Sequence, residues 1–328
     1  MAIMEEKRKL VLDRIEDILE EYTQNWESIP IKVKSSSNAI GILNSSVLRT
    51  FEQNQTIIRV APPYVMNVSK YTKNRELEEN KKNWRKIKRI IGLLEKEYNN
   101  RNLREDFDFQ YYWETHLGKG TSQLIQSTLE YIVNEETNMD VKINLNTLKI
   151  KLTSDGLREF LVNFGIGVDC SGFVSRAIAT IMTDFKIDEK KQEATLGRMN
   201  NEKEPLRLKT NASTLRKKGS IKLFAFDNIN EVGNFNEIQS GDIIMQINPN
   251  KESDFHILII AKTGKDKEGH DYFTTVESSS EESKGKGICR RTHYDFENFY
   301  YREDSSRYYQ FARPKAFVDL FSNLEDNL

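Results

Sequence analysis

The sequence of 328 residues predicts an α+β protein. A long amphipathic stretch near the N-terminus predicts a helix, and an apolar stretch that begins at Cys170 predicts another. Six strand-like runs follow the second of these helices. One helix followed by that many strands is typical of an antiparallel sheet packed on the helix. We place the domain boundary near residue 150, with a mostly helical domain over 1–150 and the α+β domain over 151–328.

The predicted N-terminal domain is built mainly of helices. Apolar residues recur every three or four positions along its first helix, at Leu12, Ile15, Leu19, Tyr22 and Trp26. The same spacing predicts helices over about 74–99 and 121–135. TIIRVAPPYV predicts a short strand that Pro62 and Pro63 terminate, and the alternation over 141–153 predicts a strand or hairpin. The sequence leaves the role of this domain unknown, with an unidentified protein partner as one candidate for what it binds.

The predicted C-terminal domain has two helices and six strands. A short helix, DGLREFLVNF, precedes the helix over 170–185. The charged segment over 186–218 is predicted to be an insertion. The strand-like runs are IKLFAF, GDIIMQI, HILIIAKT, YFTTVES, GICRRTHY and YYQFARP.

Composition excludes several classes of protein. Hydrophobic residues make up 38% and charged residues 30% of the chain, which is too much apolar material for a disordered protein. The net charge of −1 provides no field that would attract nucleic acid. No apolar run is long enough to cross a membrane, and the charged N-terminus, MAIMEEKRKLVLDRIEDILEEY, does not resemble a signal peptide. We therefore expect a cytoplasmic protein, with export by a dedicated secretion system as the alternative.

The two cysteines point to chemistry at one position. Cys170 and Cys289 form neither a disulfide framework nor a zinc-binding pattern, and we predict no metal and no cofactor. Cys170 lies in GVDCSGFVSRA, where Asp169 is a good N-cap for the helix that follows. The partial positive charge at a helix N-terminus favours the nucleophilic thiolate. The backbone N–H of Cys170 is also suitably placed to stabilise an oxyanion. Cys170 is therefore the predicted nucleophile.

A cysteine nucleophile needs a base, and the chain has four histidines. His116 lies outside the predicted C-terminal domain, His270 lies in a polar turn, and His293 follows two arginines on a polar strand. His256 opens HILIIAKT, a strand that is apolar on both faces and is therefore predicted to be buried. We choose His256 as the base.

The third member of the site should orient the imidazole of His256. Folding the strand that begins at 256 onto the strand over 272–278, about a centre near 267, brings residue 277 or 278 beside His256. Glu277 is the first choice because a carboxylate stabilises an imidazolium. A register slip of one residue would place Ser278 there instead.

These residues give the chain a resemblance to the NlpC-type cell-wall cysteine peptidases. The shared pattern is DCSGFV, then GDIIM, then a histidine that opens an apolar strand, then a polar residue near the end of the next strand; it covers about 155–295. The resemblance implies a papain-like fold and a Cys-His-polar triad. It also implies hydrolysis of amide bonds in peptidoglycan stem peptides, often between D-glutamate and a diamino acid. In family members that recognise a free amine, the positions of Asp169 and Ser171 help to bind it.

The sequence departs from the family pattern in three respects. NFGIGV replaces the usual aromatic and glycine-rich run before DCSG, 86 positions separate Cys170 from His256, and Glu277 stands where His, Asn or Gln is common. Two alternatives therefore stay open. One is a cysteine hydrolase or acyltransferase, such as a toxin or effector, that acts on an amide outside the cell wall. The other is an inactive binding protein with the same fold.

Overall fold

The computed structural model describes residues 2–34, 55–64, 118, 120–134, 152–164, 166–197, 212–227, 233–248, 256–279, 287–300 and 307–326. Over these residues the fold is mixed α/β, with antiparallel sheets. This confirms the predicted α+β class. The predicted helix over 74–99 lies outside the described residues, as does nearly all of the strand over 141–153.

Seven helices occur in the described part of the chain. They are α1 (Ala2–Glu27), α2 (Ser122–Asn134), α3 (Ser154–Phe164), α4 (Cys170–Asp184), α5 (Glu189–Leu196), α6 (Ala212–Thr214) and α7 (Lys315–Asp326). A π-helical turn, Leu215–Gly219, continues α6. The predicted helices at the N-terminus, near 121–135, before Cys170 and from Cys170 are all confirmed. None of the described helices is long and apolar enough to cross a membrane.

Eight strands form two sheets in the same part of the chain. They are β1 (Ile29–Lys34), β2 (Gln55–Val60), β3 (Ser220–Ala225), β4 (Ile243–Ile247), β5 (His256–Lys265), β6 (Asp271–Ser279), β7 (Gly287–His293) and β8 (Tyr308–Pro314). β1 and β2 pair antiparallel. The other six form one sheet in the order β3-β8-β4-β5-β6-β7, and the pairs β3–β8, β8–β4, β4–β5 and β5–β6 are antiparallel. All six strands predicted for the C-terminal half are present.

The chain divides into two compact units. One unit contains Met1–Thr23, Cys170–Ser278 and Cys289–Leu328, and the other contains Gln24–Asp169 and Ser279–Ile288. The first 23 residues thus group with the segment that begins at Cys170, whereas a boundary near residue 150 would separate them. Contacts within the first unit explain this grouping. The Ser240 hydroxyl donates a hydrogen bond of 2.6 Å to the Glu16 carboxylate, and Arg14 bonds Asp184.

An aromatic cluster forms the core on one face of the six-stranded sheet. Its members are buried residues from the sheet and from the segments that cover it, and they include Phe224, Phe226, Phe273, Phe296, Phe299 and Phe311. Neighbouring rings are 4.6 to 6.1 Å apart between centroids, which is the range of favourable aromatic contacts. The strands that carry the candidate site residues are therefore held on a rigid support.

The Gly-Asp pair before β4 has a structural explanation. Gly241 has a positive φ of 91°, and a Cβ there would lie 2.9 Å from the ring of Phe317. Asp242 is fully buried and accepts hydrogen bonds of 2.8 and 2.9 Å from Arg313. The backbone N–H of Gln239 donates a third bond of 2.9 Å to the same carboxylate. This carboxylate therefore joins β8 to the turn that leads into β4.

We expect Asp242→Ala to lower the free energy of unfolding by about 3 to 5 kcal/mol, because it leaves the Arg313 guanidinium partly buried without its anion. Urea unfolding followed by circular dichroism would measure the loss. Asp271→Ala is the matched control, since Asp271 pairs with Lys265 on the surface, and its expected cost is below about 1 kcal/mol. Equal losses for the two variants would contradict the role assigned to Asp242.

Candidate active site

Cys170 is the first residue of α4, as predicted. The helix forms because the sequence from Cys170 to Met182 is nearly all small or apolar, and eleven of its residues are buried. It contacts β5, the strand that begins with His256. The side chain of Cys170 therefore lies at the positive end of a buried helix, with 7% of the residue exposed.

His256 links Cys170 to Glu277. Its Nε2 atom forms a hydrogen bond with Oε2 of Glu277. The Cys170 side chain is its other neighbour and, like Glu277, raises the pKa of His256. The imidazole is 25% exposed, whereas the Glu277 side chain is 4% exposed, so the base can reach a substrate while its partner stays buried.

A β-bulge decides which residue lies against His256. From Lys265↔Asp271 to Lys262↔Thr274 the strands β5 and β6 keep one register, and the register shifts by one residue before Ile260↔Thr275 and Ile259↔Val276. With the shifted register, Glu277 lies on the same face as His256, one diagonal step away. Without the shift, Ser278 would occupy that face. Glu277 is thus the neighbour of His256, and the alternative with Ser278 does not correspond to the structure.

The surroundings of His256 favour its protonated form. Burial lowers the pKa of His256, but the hydrogen bonds with Cys170 and Glu277 and the negative charge of these partners raise it. The net effect raises the pKa from 6.5 to about 10. A protonated imidazole beside a cysteine side chain stabilises the thiolate form that a cysteine nucleophile requires.

Arg291 is a neighbour of the site that the sequence analysis did not identify. Its Nη2 atom lies 3.7 Å from Oε1 of Glu277, the carboxylate oxygen that does not face His256. Arg291 lies on β7, next to the strand of Glu277 in the sheet. The only signal in the sequence is its position in GICRRTHY, and the pairing of β6 with β7 was needed to interpret it.

Two of the other histidines have different surroundings. His293 is buried, stacks on the ring of Phe273 at 4.8 Å and has its Nε2 atom 3.0 Å from the Thr275 hydroxyl. Burial and the nearby Arg291 lower the pKa of His293, so it is a neutral core histidine at pH 7. His270 lies exposed in the β5–β6 turn, where it contacts Asp266. His116 lies outside the described residues.

The two predicted amine-binding residues flank Cys170 in the chain. Asp169 is buried, and its backbone N–H donates a hydrogen bond of 2.9 Å to the carbonyl oxygen of Gly118. Ser171 is buried in the first turn of α4. Their positions agree with the predicted start of the helix. Amine binding by these residues stays a prediction.

One group of possible metal ligands occurs in the described part of the chain, away from Cys170. Asp266, Glu268 and His270 bring ligand atoms within 4.8 Å of one another in the β5–β6 turn. The Asp266 carboxylate already accepts hydrogen bonds of 2.9 Å from the backbone N–H groups of Glu268 and His270. These bonds stabilise a tight turn, and the turn explains why the three side chains lie close together.

Comparison with known proteins adds no relative. No protein-family model, no curated protein and no solved structure matches the chain. The resemblance to the NlpC-type peptidases therefore rests on the motif residues.

We expect Glu277→Gln to shift the pH profile of activity. The change keeps the size of the side chain but removes the charge that helps to hold the proton on His256, so the pKa of His256 falls below its value of about 10. The alkaline limb of kcat/KM, where His256 loses its proton, should move to lower pH, and kcat/KM at pH 7 should fall by about 10 to 100 fold.

The raised pKa of His256 also makes the stability of the protein depend on pH. The pKa of His256 is higher in the folded state, so its stabilising contribution is complete below pH 6.5 and is lost as the pH rises through about 10. The free energy of unfolding of the wild type should fall across that window more steeply than that of Glu277→Gln. Glu268→Gln, in the exposed turn, is the control for both measurements. An alkaline limb at the wild-type position in Glu277→Gln would exclude Glu277 as the partner of His256.

Proposed function

We propose that the chain is a cysteine peptidase or amidase of the NlpC type that hydrolyses amide bonds in peptidoglycan stem peptides. The observation that carries the proposal is the hydrogen bond of His256 with Glu277, on a strand that contacts the helix whose N-terminus is Cys170. Cys170 and Glu277 both raise the pKa of His256. A nucleophile, a base and an orienting carboxylate in this order are the parts of a cysteine hydrolase.

The arrangement of elements supports a papain-like fold for this unit. The helix that begins with the nucleophile contacts the strand that carries the histidine, and the next strand in the antiparallel sheet carries the polar partner. Helix, histidine strand and partner strand follow one another in the chain in the order that the family resemblance implies.

The mechanism assigns one task to each residue. The Cys170 thiolate attacks the amide carbon, and the backbone N–H of Cys170 helps to hold the oxyanion. The His256 imidazolium donates its proton to the leaving nitrogen, which departs as an amine and leaves a thioester on Cys170. His256 then takes a proton from water, the hydroxide attacks the thioester, and the acid and the thiolate are released. Glu277 orients the imidazole and stabilises its charge.

The proposed substrate is a muropeptide with a free amine. Asp169 and Ser171 are the proposed amine-binding residues, by position next to the nucleophile. The compartment follows from the substrate: the enzyme acts in the cytoplasm on recycled peptides, or on the wall after export by a dedicated secretion system.

The test is mass spectrometry of defined muropeptides incubated with the purified protein and with the Cys170→Ala variant. Cleavage by the wild type alone would support the proposal, and the fragment masses would identify the bond. Rapid alkylation of Cys170 in a wild-type protein that cleaves no muropeptide would indicate a substrate amide outside the cell wall. The presence of NFGIGV before DCSG, in place of the family's aromatic run, also favours that alternative. An unreactive thiol would point to a binding protein.

A further inference from the structure

A row of polar side chains extends from His256 across the sheet, on the side away from Glu277. Gln246 on β4 is the register partner of His256, and Tyr309 on β8 is the register partner of Gln246. Directly paired residues project to the same face with Cβ atoms about 5 Å apart. Arg307 lies two residues before Tyr309 and therefore projects to that face as well. These residues form no part of the proposed triad.

Hydrogen bonds hold the row in one arrangement. The Gln246 amide donates a bond of 2.8 Å to the Tyr309 hydroxyl, and its oxygen accepts a bond of 3.5 Å from Nη1 of Arg307. The ring of Tyr309 packs edge-on against Phe299 of the aromatic core, at 5.2 Å between centroids. The core therefore positions Tyr309, Tyr309 orients the amide, and the amide orients the guanidinium.

Among the residues that the structure describes in this row, Arg307 is a cation available for a ligand. Cys170 pairs with His256, and Glu277 lies between His256 and Arg291. Within the part of the chain that the structure describes, Arg307 forms no ion pair and bonds only the neutral Gln246. A guanidinium has five donors in a planar fork that suits a carboxylate, and Arg307 is half-buried, where such a pair is less screened than on the open surface.

The chemistry of His256 indicates which part of a substrate would reach this row. His256 protonates the leaving nitrogen, so that nitrogen lies beside the imidazole when the bond breaks. In an amino acid, the α-carboxylate is one carbon away from the nitrogen. Adjacent strands are about 4.8 Å apart, so a leaving-group carboxylate on the side away from Glu277 would come beside Gln246, whose amide oxygen accepts a bond from Arg307.

We propose that Gln246, Tyr309 and Arg307 form a subsite for the leaving group, in which Arg307 binds a carboxylate carried by the departing amine. This inference rests on the proposed hydrolase function and narrows its substrates to amides whose amine side is an amino acid with a nearby free carboxylate. Arg307 is the binding residue, and Gln246 is a positioning residue that acts through Arg307.

The test runs the acylation step, in which the amide C–N bond breaks, in reverse and needs no natural substrate. p-Nitrophenyl acetate transfers its acetyl group to Cys170 and releases p-nitrophenolate. Added alanine or alaninamide then attacks the thioester carbon in competition with water, the thiolate leaves, and the amine proton passes to His256. Mass spectrometry measures the ratio of N-acetylalanine to N-acetylalaninamide formed from equal concentrations of the two amines.

Arg307→Met should lower this product ratio by about tenfold or more relative to the wild type, which is the effect expected from losing a charge-assisted bond to a carboxylate. Comparing variants at one pH cancels the difference in basicity between the two amines. Gln246→Leu, which leaves the cation but removes its support, should lower the ratio less than Arg307→Met does. Lys267→Met removes an equal charge from the exposed β5–β6 turn and should leave the ratio unchanged.

The outcomes separate the subsite from the proposed function. A wild-type protein that forms no thioester at Cys170 would overturn the hydrolase proposal and the subsite with it. A thioester that forms normally, with the same product ratio in the wild type and in Arg307→Met, would overturn the subsite alone. A product ratio that falls equally in Arg307→Met and Lys267→Met would show that the loss of any positive charge has this effect. That result would also overturn the subsite.

Discussion

Cys170→Ala is expected to lower amide hydrolysis by about four orders of magnitude or more, because it removes the atom that forms the covalent intermediate. The remaining activity would come from binding and from the oxyanion donors alone. The variant should fold normally, since the substitution removes one sulfur atom at the start of a helix whose other buried residues stay in place. Cys170→Ser should be nearly as inactive, because a hydroxyl is a far weaker nucleophile than a thiolate beside the same imidazole.

The other cysteine supplies a matched control. Cys289 is also 7% exposed, and it lies on β7. Cys289→Ala therefore makes the same chemical change at the same degree of burial and should keep activity within about twofold, with a loss of stability of about 1 kcal/mol. Product formation by the wild type and both variants, with circular dichroism of each, is the measurement. Full activity of Cys170→Ala would reject the mechanism.

His256→Ala is expected to lower kcat by about 10³-fold or more, because it removes both the partner of the thiolate and the acid for the leaving amine. The accompanying loss in the free energy of unfolding should be small, since the imidazole lies at the first position of β5 and is partly exposed. Loss of the imidazole also leaves the buried Glu277 carboxylate with Arg291 as its nearby cation. The measurement is kcat and KM beside a thermal unfolding curve.

His293→Ala should behave in the opposite way. His293 is buried between the rings of Phe273 and Phe299 and bonds Thr275. Truncation should therefore cost about 2 to 4 kcal/mol of stability through a cavity and a lost hydrogen bond. The protein that remains folded should form the thioester at Cys170. If His293→Ala instead stopped thioester formation in folded protein while His256→Ala did not, the assignment of the base would be wrong.

Much of this arrangement could be predicted because its signals are local. The start of α4 at Cys170 follows from Asp169 before a run of small and apolar residues. The strand that begins at His256 could be predicted because five consecutive apolar residues follow the histidine. Short elements escaped prediction. β1 alternates Ile29, Ile31 and Val33 with Pro30 and Lys32, which is a strand pattern too brief to stand out, and Pro30 weakened it.

Residues that act across strands could not be predicted in the same way. Arg291 and Arg307 are separated from Glu277 and Gln246 by long stretches of sequence, and only the strand order brings each pair together. Strand order depends on which apolar faces pack together, and no local pattern records it. The grouping of α1 with the unit of Cys170 has the same origin, because it depends on contacts such as that of Glu16 with Ser240.

The sequence by itself predicted the candidate nucleophile and base and determined the class of fold, since each depends on residue type and on periodicity over a few neighbouring positions. The tertiary structure alone decided between Glu277 and Ser278. A single extra residue in β5, at the bulge between Ile260 and Lys262, moves the pairing by one position and brings the carboxylate to the face of His256. Side chains alternate along a strand, so a shift of one residue exchanges the faces, and only the observed hydrogen-bond register reveals it.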